Sequence, residues 1–401
     1  MTTSDSLATY GSDTGPGPQM RDSSRPAHVR EVVARLRGLI ERRNLTGVVL
    51  TSPSAVAWAT GGMNTAIDRA LAVDMIWVAV SLDRQVIITT NVEFPRLLND
   101  SDPESCDFSV VAVPWHDPDA FAAACAFELG VVLVGIGTDG NPGFGIDVSE
   151  DLVLSRLVLT PFGQEALRSL GRDTVVALER ALSSWRPGTT DREVQAEMVR
   201  HLELTGAETV VALVAGDARL GRYRHALALG QPAFERMMAV IVSRRGGLNV
   251  AATRFVATEA VSGQLAERFA GVRHVETAVL ETCARGASYG EATRRLVDAY
   301  GEIGYPDAWR EHWQGGPIGY ATREFELAPG WENSVFYSTS VAPGHALAWN
   351  PSLSGAKVED TFLVGDSGLE CVSAPVDWPT ERVEGSSEER AAVLVVSGER
   401  R

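Results

Sequence analysis

Apolar residues recur at helical spacing from Arg25 to Arg43. Val29, Val32, Val33, Leu36, Leu39 and Ile40 fall on one face, which predicts an amphipathic helix. The pattern then shortens to strand length: Leu45–Thr51, Asp74–Val80, Gln85–Thr90, Phe108–Pro114 and Val131–Gly137. A tight turn at Leu82-Asp83-Arg84 joins two of these runs, and a helix over Pro118–Leu129 fills one gap. This alternation predicts an α/β unit, a mixed sheet with helices packed on it. A second unit starts near Thr160. A helix over Leu170–Ser184 carries Val175, Val176, Leu178 and Leu182 on one side and stops at Pro187-Gly188. Thr190 opens the next helix, with Asp191 and Glu193 in a first turn that favours negative charge. Strands follow at Val210–Ala215, Met237–Ser243 and Gly247–Val256, then helices at Ser262–Phe269 and Tyr289–Ile303, then strands at Ala346–Trp349 and Lys357–Val364. Helices first and strands last predict an α+β unit. The expected layout is a leader over residues 1–26, disordered by composition, then units at 27–160 and 161–380. A charged tail over 381–401 holds one more candidate strand at Ala391–Val396.

The totals narrow the function classes. A chain of 401 residues, 45% hydrophobic and 22% charged, suits a soluble protein with two ample cores. A net charge of −16 argues against a basic nucleic-acid-binding face. Cys106, Cys125, Cys283 and Cys371 are scattered with no Cys-x-x-Cys, so neither a zinc knuckle nor a redox motif is indicated. Reduced thiols, a leader without the features of a signal peptide and the lack of long apolar runs predict a cytoplasmic protein that does not engage membranes.

Candidate chemistry gathers in a few segments. Arg222-Tyr223-Arg224-His225 offers an imidazole, suited to proton transfer near neutral pH, between arginines suited to an anion. Glu311-His312-Trp313-Gln314-Gly315-Gly316-Pro317 sets a histidine beside glycines that permit close backbone approach. Asn350 ends one strand, and Val358-Glu359-Asp360 lies in the next. Trp309, Trp313 and Trp331 are candidate pocket walls. No acidic residue occurs from Ala239 to Val256.

In order and separation these segments resemble the creatinase and aminopeptidase P superfamily over residues 28–378. The resemblance implies an α/β N-terminal creatinase-like domain followed by an α+β pita-bread catalytic domain. It also implies a homodimer in which a first-domain loop, with Asp68 and Arg69 here, closes the partner's pocket. Peptidases of this superfamily hold two metals through two aspartates, a histidine and two glutamates. Those positions fall here near Ser243, near Ala251, at Gly316, at Asn350 and at Glu359, so one carboxylate remains. Too few donors are left for a dinuclear centre. Creatinase, a hydrolase without metal, implies His225 as general acid and base. His312 and Glu359 would act beside it, with Arg323, Asn350, Arg254, Glu324, Arg69 and Arg222 as substrate-binding candidates. A carboxylate without metal suits a guanidinium, amidine or ammonium; the arginines suit a carboxylate. Blander readings stand beside these: Glu359 as a partner of Lys357 or Arg254, Glu324 as a solvated charge, Asn350 as a turn residue before Pro351. The expectation is a metal-independent hydrolase or lyase that needs no cofactor and cleaves a C–N or related bond of a small polar molecule. The alternatives are an Xaa-Pro metallopeptidase with other ligands, or a non-catalytic binding protein.

Overall fold

The computed structural model describes residues 24–63, 65, 67–68, 70–140, 142–383 and 389–396. Helix α1 spans Arg25–Arg43 and buries the predicted face, Val29 through Ile40. It ends where Asn44 turns left-handed, with Arg42 and Arg43 in the last turn, the favourable end for positive charge. The first sheet comprises β1 (Gly47–Leu50), β2 (Ile76–Val80), β3 (Gln85–Thr90), β4 (Ser109–Val113), β5 (Ile136–Thr138) and β6 (Ile146–Asp147), in the order β4-β3-β2-β1-β5-β6. β1–β2 and β2–β3 are antiparallel, whereas β3–β4, β1–β5 and β5–β6 are parallel, which makes the mixed sheet the sequence predicts. Helices α2 (Pro53–Thr60), α3 (Phe94–Ser101), α4 (Ala120–Leu129) and α5 (Ser149–Leu157) complete this unit.

Helix α6 runs from Pro161 to Ser183, nine residues longer at its start than its apolar pattern indicates. Thr160 caps it, and Gly171 lets the Val372 carbonyl come so near that a Cβ there would sit 2.2 Å from that oxygen. Helix α7 (Asp191–Glu203) begins with a complete capping box between Thr190 and Glu193. Strand β7 (Glu208–Gly216), short helix α8 (Ala218–Arg222), β8 (Arg236–Arg245) and β9 (Leu248–Ala257) follow; the three strands are antiparallel neighbours. Helix α9 (Gly263–Ala284) continues far beyond Phe269, carried by buried Val272, Val275, Val279 and Cys283, although buried polar side chains break the apolar period. Among them are Arg273, paired with Glu381, and Glu276, paired with Arg390. α10 (Tyr289–Glu302) packs beside it.

The remaining strands are β10 (Gly315–Ile318), β11 (Ala346–Trp349), β12 (Ser352–Leu353), β13 (Ala356–Lys357), β14 (Phe362–Gly365) and β15 (Gly368–Cys371), with α11 (Val335–Ser338) between the first two. β10-β11-β14-β15 form one sheet, and β12-β13 a two-residue ribbon. The single strand expected over Lys357–Val364 is thus broken at Val358–Thr361. That break hydrogen-bonds to β9: Thr253 N donates to Glu359 O at 2.9 Å, and Ala251 N donates to Thr361 Oγ1 at 2.9 Å. The tail is partly structural. β16 (Thr380–Arg382) pairs with β17 (Glu389–Ala391), and β18 (Leu394–Val395) adds in parallel to the edge of β9. Expectations about residues 1–23 and 397–401 lie outside the described residues. No helix among those described is long and apolar enough to cross a membrane.

Candidate active site

His225 sits in the irregular stretch between α8 and β8, and two carboxylates hold that stretch in place. Asp217 accepts from the backbone N–H groups of Phe234, Glu235 and Arg236 at 2.7–2.9 Å. Buried Asp191 accepts from those of Leu229, Gly230 and Gln231 at 2.7–3.1 Å and pairs with Arg219 at 2.8 Å. Anchored on both sides, the loop presents His225 at the surface with its ring 10° from parallel to Trp313 and edge-on to His312, at 6.3 and 6.0 Å between centroids. Partial burial lowers the His225 pKa below its ordinary value. The charge of Lys357 adds to this and Glu359 opposes it. The ring makes no hydrogen bond among the described residues.

His312 is more enclosed. Its Nδ1 lies 2.6 Å from the Trp313 carbonyl and so carries the hydrogen, which leaves Nε2 to accept from Ser352 Oγ at 2.6 Å. Burial, helped by Lys357, pushes its pKa down to about 4. It is a neutral ring with both nitrogens occupied, which stiffens the wall behind His225 and orients the Ser352 hydroxyl.

Next to this wall lies a buried ion pair. Glu359, 3% exposed, takes Lys357 Nζ at 2.9 Å, Thr253 Oγ1 at 2.9 Å and the Asn350 amide N–H at 3.4 Å. Burial alone would raise its carboxyl pKa, but Lys357, Arg323 and Thr253 outweigh it and hold the group below its ordinary value. The Asn350 Oδ1 is buried without a hydrogen-bond partner. Arg323 donates to the Ala348 carbonyl at 2.9 Å and pairs with Glu326 at 3.3 Å. A cavity of about 20 Å³, room for about one water, lies against Thr253, Lys357 and Glu359 and is closed by Arg390–Val393 of the tail.

The structure therefore brings together His225, His312, Glu359, Asn350 and Arg323 and adds Lys357, Ser352 and Thr253, which the sequence reading did not single out as site residues. One signal was available. Of the 36 basic residues, Lys357 alone is lysine. Two candidates need correcting. Arg254 is 1% exposed and locked to Asp360 at 2.9 Å and to the carbonyls of Thr253 and Ser373, so it has no face for a substrate. Glu324 is neither solvated nor in the site. It is buried against Arg156 at 2.6 Å and accepts from Ala321 N. Arg222 is exposed and makes no ion pair or hydrogen bond among the described residues. Arg69 lies outside them. Arg224, its neighbour, is spent on Glu311. Trp313 walls the site, whereas Trp331 is simply exposed. His274 pairs with Glu302 at 2.8 Å, and His345 bonds to the Tyr289 hydroxyl at 2.9 Å.

These residues do not fit the dinuclear metal centre that the resemblance brings to mind. Side chains alternate along β8 and β9. Ser243 bonds to Thr174 of α6, on the face opposite to Thr253, so the position facing Glu359 on β8 is not Ser243 but a valine, Val240 or Val242. Gly316 stands at φ 139°, a backbone that a histidine rarely adopts. The remaining carboxylate already holds an ammonium. Among the described residues no group of three or more His, Cys, Asp and Glu side chains converges to hold a metal ion.

No family model matches the sequence, and no curated protein matches it. Solved structures do. The dipeptidase PepE from Mycobacterium ulcerans is similar at 16% identity and TM-score 0.73, over 93% of this chain and 99% of that one. An Xaa-Pro dipeptidase from Bacillus anthracis is similar at 19% identity and TM-score 0.70, over 92% and 100%. The N-terminal domain of the FACT complex subunit SPT16 from Cicer arietinum is similar at 10% identity and TM-score 0.63, over 89% and 97%. The chain has the fold of these pita-bread proteins; at these identities the likeness speaks for the fold alone.

Proposed function

Starting from that fold, we propose that the protein is a metal-independent hydrolase or lyase, creatinase-like in its logic, acting on a C–N bond of a small polar substrate. The observation that carries this reading is the pairing of Glu359 with Lys357 at 2.9 Å beside a histidine with no hydrogen-bond partner. A carboxylate neutralised by an ammonium is a poor metal ligand, whereas an uncharged imidazole open to the cleft is ready to move protons. In a hydrolysis, His225 takes a proton from water as the water oxygen bonds to the substrate carbon. It then returns that proton to the nitrogen as the C–N bond breaks. Asn350 orients the substrate through its unpartnered oxygen. His312 acts as the rigid neutral support. The domain division near residue 160, the homodimer and the cytoplasmic setting belong to this proposal as well.

The test is a panel of small amides, ureas, guanidino compounds and Xaa-Pro dipeptides assayed for release of an amine, with and without chelator. Turnover is expected to survive chelation and to fall about 10²–10⁴-fold in His225→Ala. Two metal equivalents per chain, with activity lost on chelation, would establish the metallopeptidase reading instead. Full activity in His225→Ala would remove the histidine from the mechanism. Because the likeness to SPT16 extends to a subunit of a complex, a binding role is the second reading. A panel that shifts the melting temperature without turnover would favour it.

A further inference from the structure

The 36 basic side chains comprise 35 arginines and one lysine, and that lysine stands on the buried carboxylate at the centre of the site. At other buried acids among the described residues the chain uses arginine: Arg254 for Asp360, Arg156 for Glu324, Arg390 for Glu276, Arg219 for Asp191. Arginine is a planar fork that spreads its charge over several acceptors; lysine is a compact point charge with three rotatable donors. Lys357 is 7% exposed, and Glu359 occupies one of its N–H donors. It makes no other hydrogen bond among the described residues. Desolvated donors without acceptors are costly, so the remaining donors of Lys357 suit an oxygen brought by a ligand. Lys357 lines both the small cavity behind Glu359 and a shallow pocket towards Tyr223, Arg224 and Ser352.

Asn350 supplies the complement. Its amide N–H faces Glu359 Oε1, the orientation the carboxylate requires, and its Oδ1 is left buried and unpartnered. The two groups flanking Glu359 thus offer one cationic donor and one neutral acceptor. We propose that Lys357 is the fixed cation of this site and that it binds the carboxylate of a small substrate whose neighbouring N–H donates to Asn350 Oδ1. The substrate class is an amino-acid-like carboxylate with a substituted nitrogen that keeps its N–H. This rests on the metal-independent reading above and narrows its substrate.

The single lysine makes the test direct. Full-length protein grown on lysine labelled with ¹³C and ¹⁵N gives one lysine side-chain resonance, that of Lys357. It is titrated with N-acetylglycinate, acetate and guanidinium at constant ionic strength, up to about 50 mM, well past a millimolar Kd. N-acetylglycinate is expected to move the resonance saturably, acetate more weakly, and guanidinium not at all. Asn350→Leu is expected to weaken N-acetylglycinate about 3- to 10-fold and leave acetate unchanged, the size of one lost hydrogen bond. A resonance unmoved by both carboxylates, or moved equally by guanidinium, would overturn the proposal. The readout needs no turnover. A responding lysine with a fully active His225→Ala would sink the acid–base reading and spare this site; a silent lysine with an inactive His225→Ala would do the reverse.

Discussion

Replacing Lys357 by Met isolates the electrostatic core of the site. In the wild type, Glu359 holds Lys357 at 2.9 Å and Thr253 at 2.9 Å, and its carboxyl lies below the ordinary value of 4.5. A group depressed in the fold adds stability above its unfolded pKa, and that stability is lost as pH falls through the folded value. Without the ammonium, burial, the largest influence on Glu359, is opposed only by Arg323 and Thr253, and the carboxyl is expected to move upward past its ordinary value. The sign then reverses. The variant loses stability as pH rises through the range where the unfolded chain releases the proton and the folded chain keeps it. Removing one partner of a buried pair costs about 3–5 kcal/mol at neutral pH. Towards acid pH, where the variant's carboxyl takes up its proton, the cost shrinks, and each pKa unit accounts for about 1.36 kcal/mol of the gap. Thermal melts of wild type and Lys357→Met from pH 4 to 7 read this as a difference that widens with pH. Adding Glu359→Gln to the variant is expected to restore most of the loss at pH 7 by removing the stranded charge. A difference constant with pH, or no rescue by the second change, would show that Lys357 matters only through packing.

Other outcomes follow from other contacts. Asp191→Ala leaves three backbone N–H groups and Arg219 unsatisfied, so denaturation should show a loss of about 2–4 kcal/mol, with protease sensitivity appearing near Leu229. Thr190→Ala breaks the capping box of α7 and should cost about 1 kcal/mol in the same experiment. Burial raises Glu276 to about 7, so its stability contribution is whole below about pH 4.5 and is lost as pH rises towards 7. Glu276→Gln should flatten the fall in melting temperature over that interval.

Much of the fold was legible because apolar period and capping agree where an element has one solvent face. α1, β3 and β11 fall at their predicted boundaries, and Thr190 caps the helix it was expected to open. The failures share a cause. α9 hides Arg273 and Glu276 inside the protein, and a polar residue in a helical period reads as the end of its buried face. The same blindness misplaced Arg254 and Glu324, whose charges are consumed by Asp360 and Arg156, residues distant in sequence or across a sheet. Which face Ser243 occupies depends on strand register, and a shift of one position sends it to α6. Lys357 was named only as a partner of Glu359. Its solitude among arginines was visible in composition, yet its meaning required its place beside His225 and His312.

The ligand positions and the lysine are physically linked. With valines on β8 facing Glu359, Ala251 on β9 and Gly316 on β10, a lone Glu359 would be a buried carboxylate with only Thr253, Asn350 and the more distant charge of Arg323 to support it. Such a group tends to protonate or to destabilise the fold. An internal ammonium resolves that conflict without any external ion. It also sets a positive point charge beside His225, His312 and Ser352. Arginine would serve the first purpose but fit the second poorly. Its fork needs several acceptors in one plane, whereas two sides of Glu359 are already taken by Thr253 and Asn350.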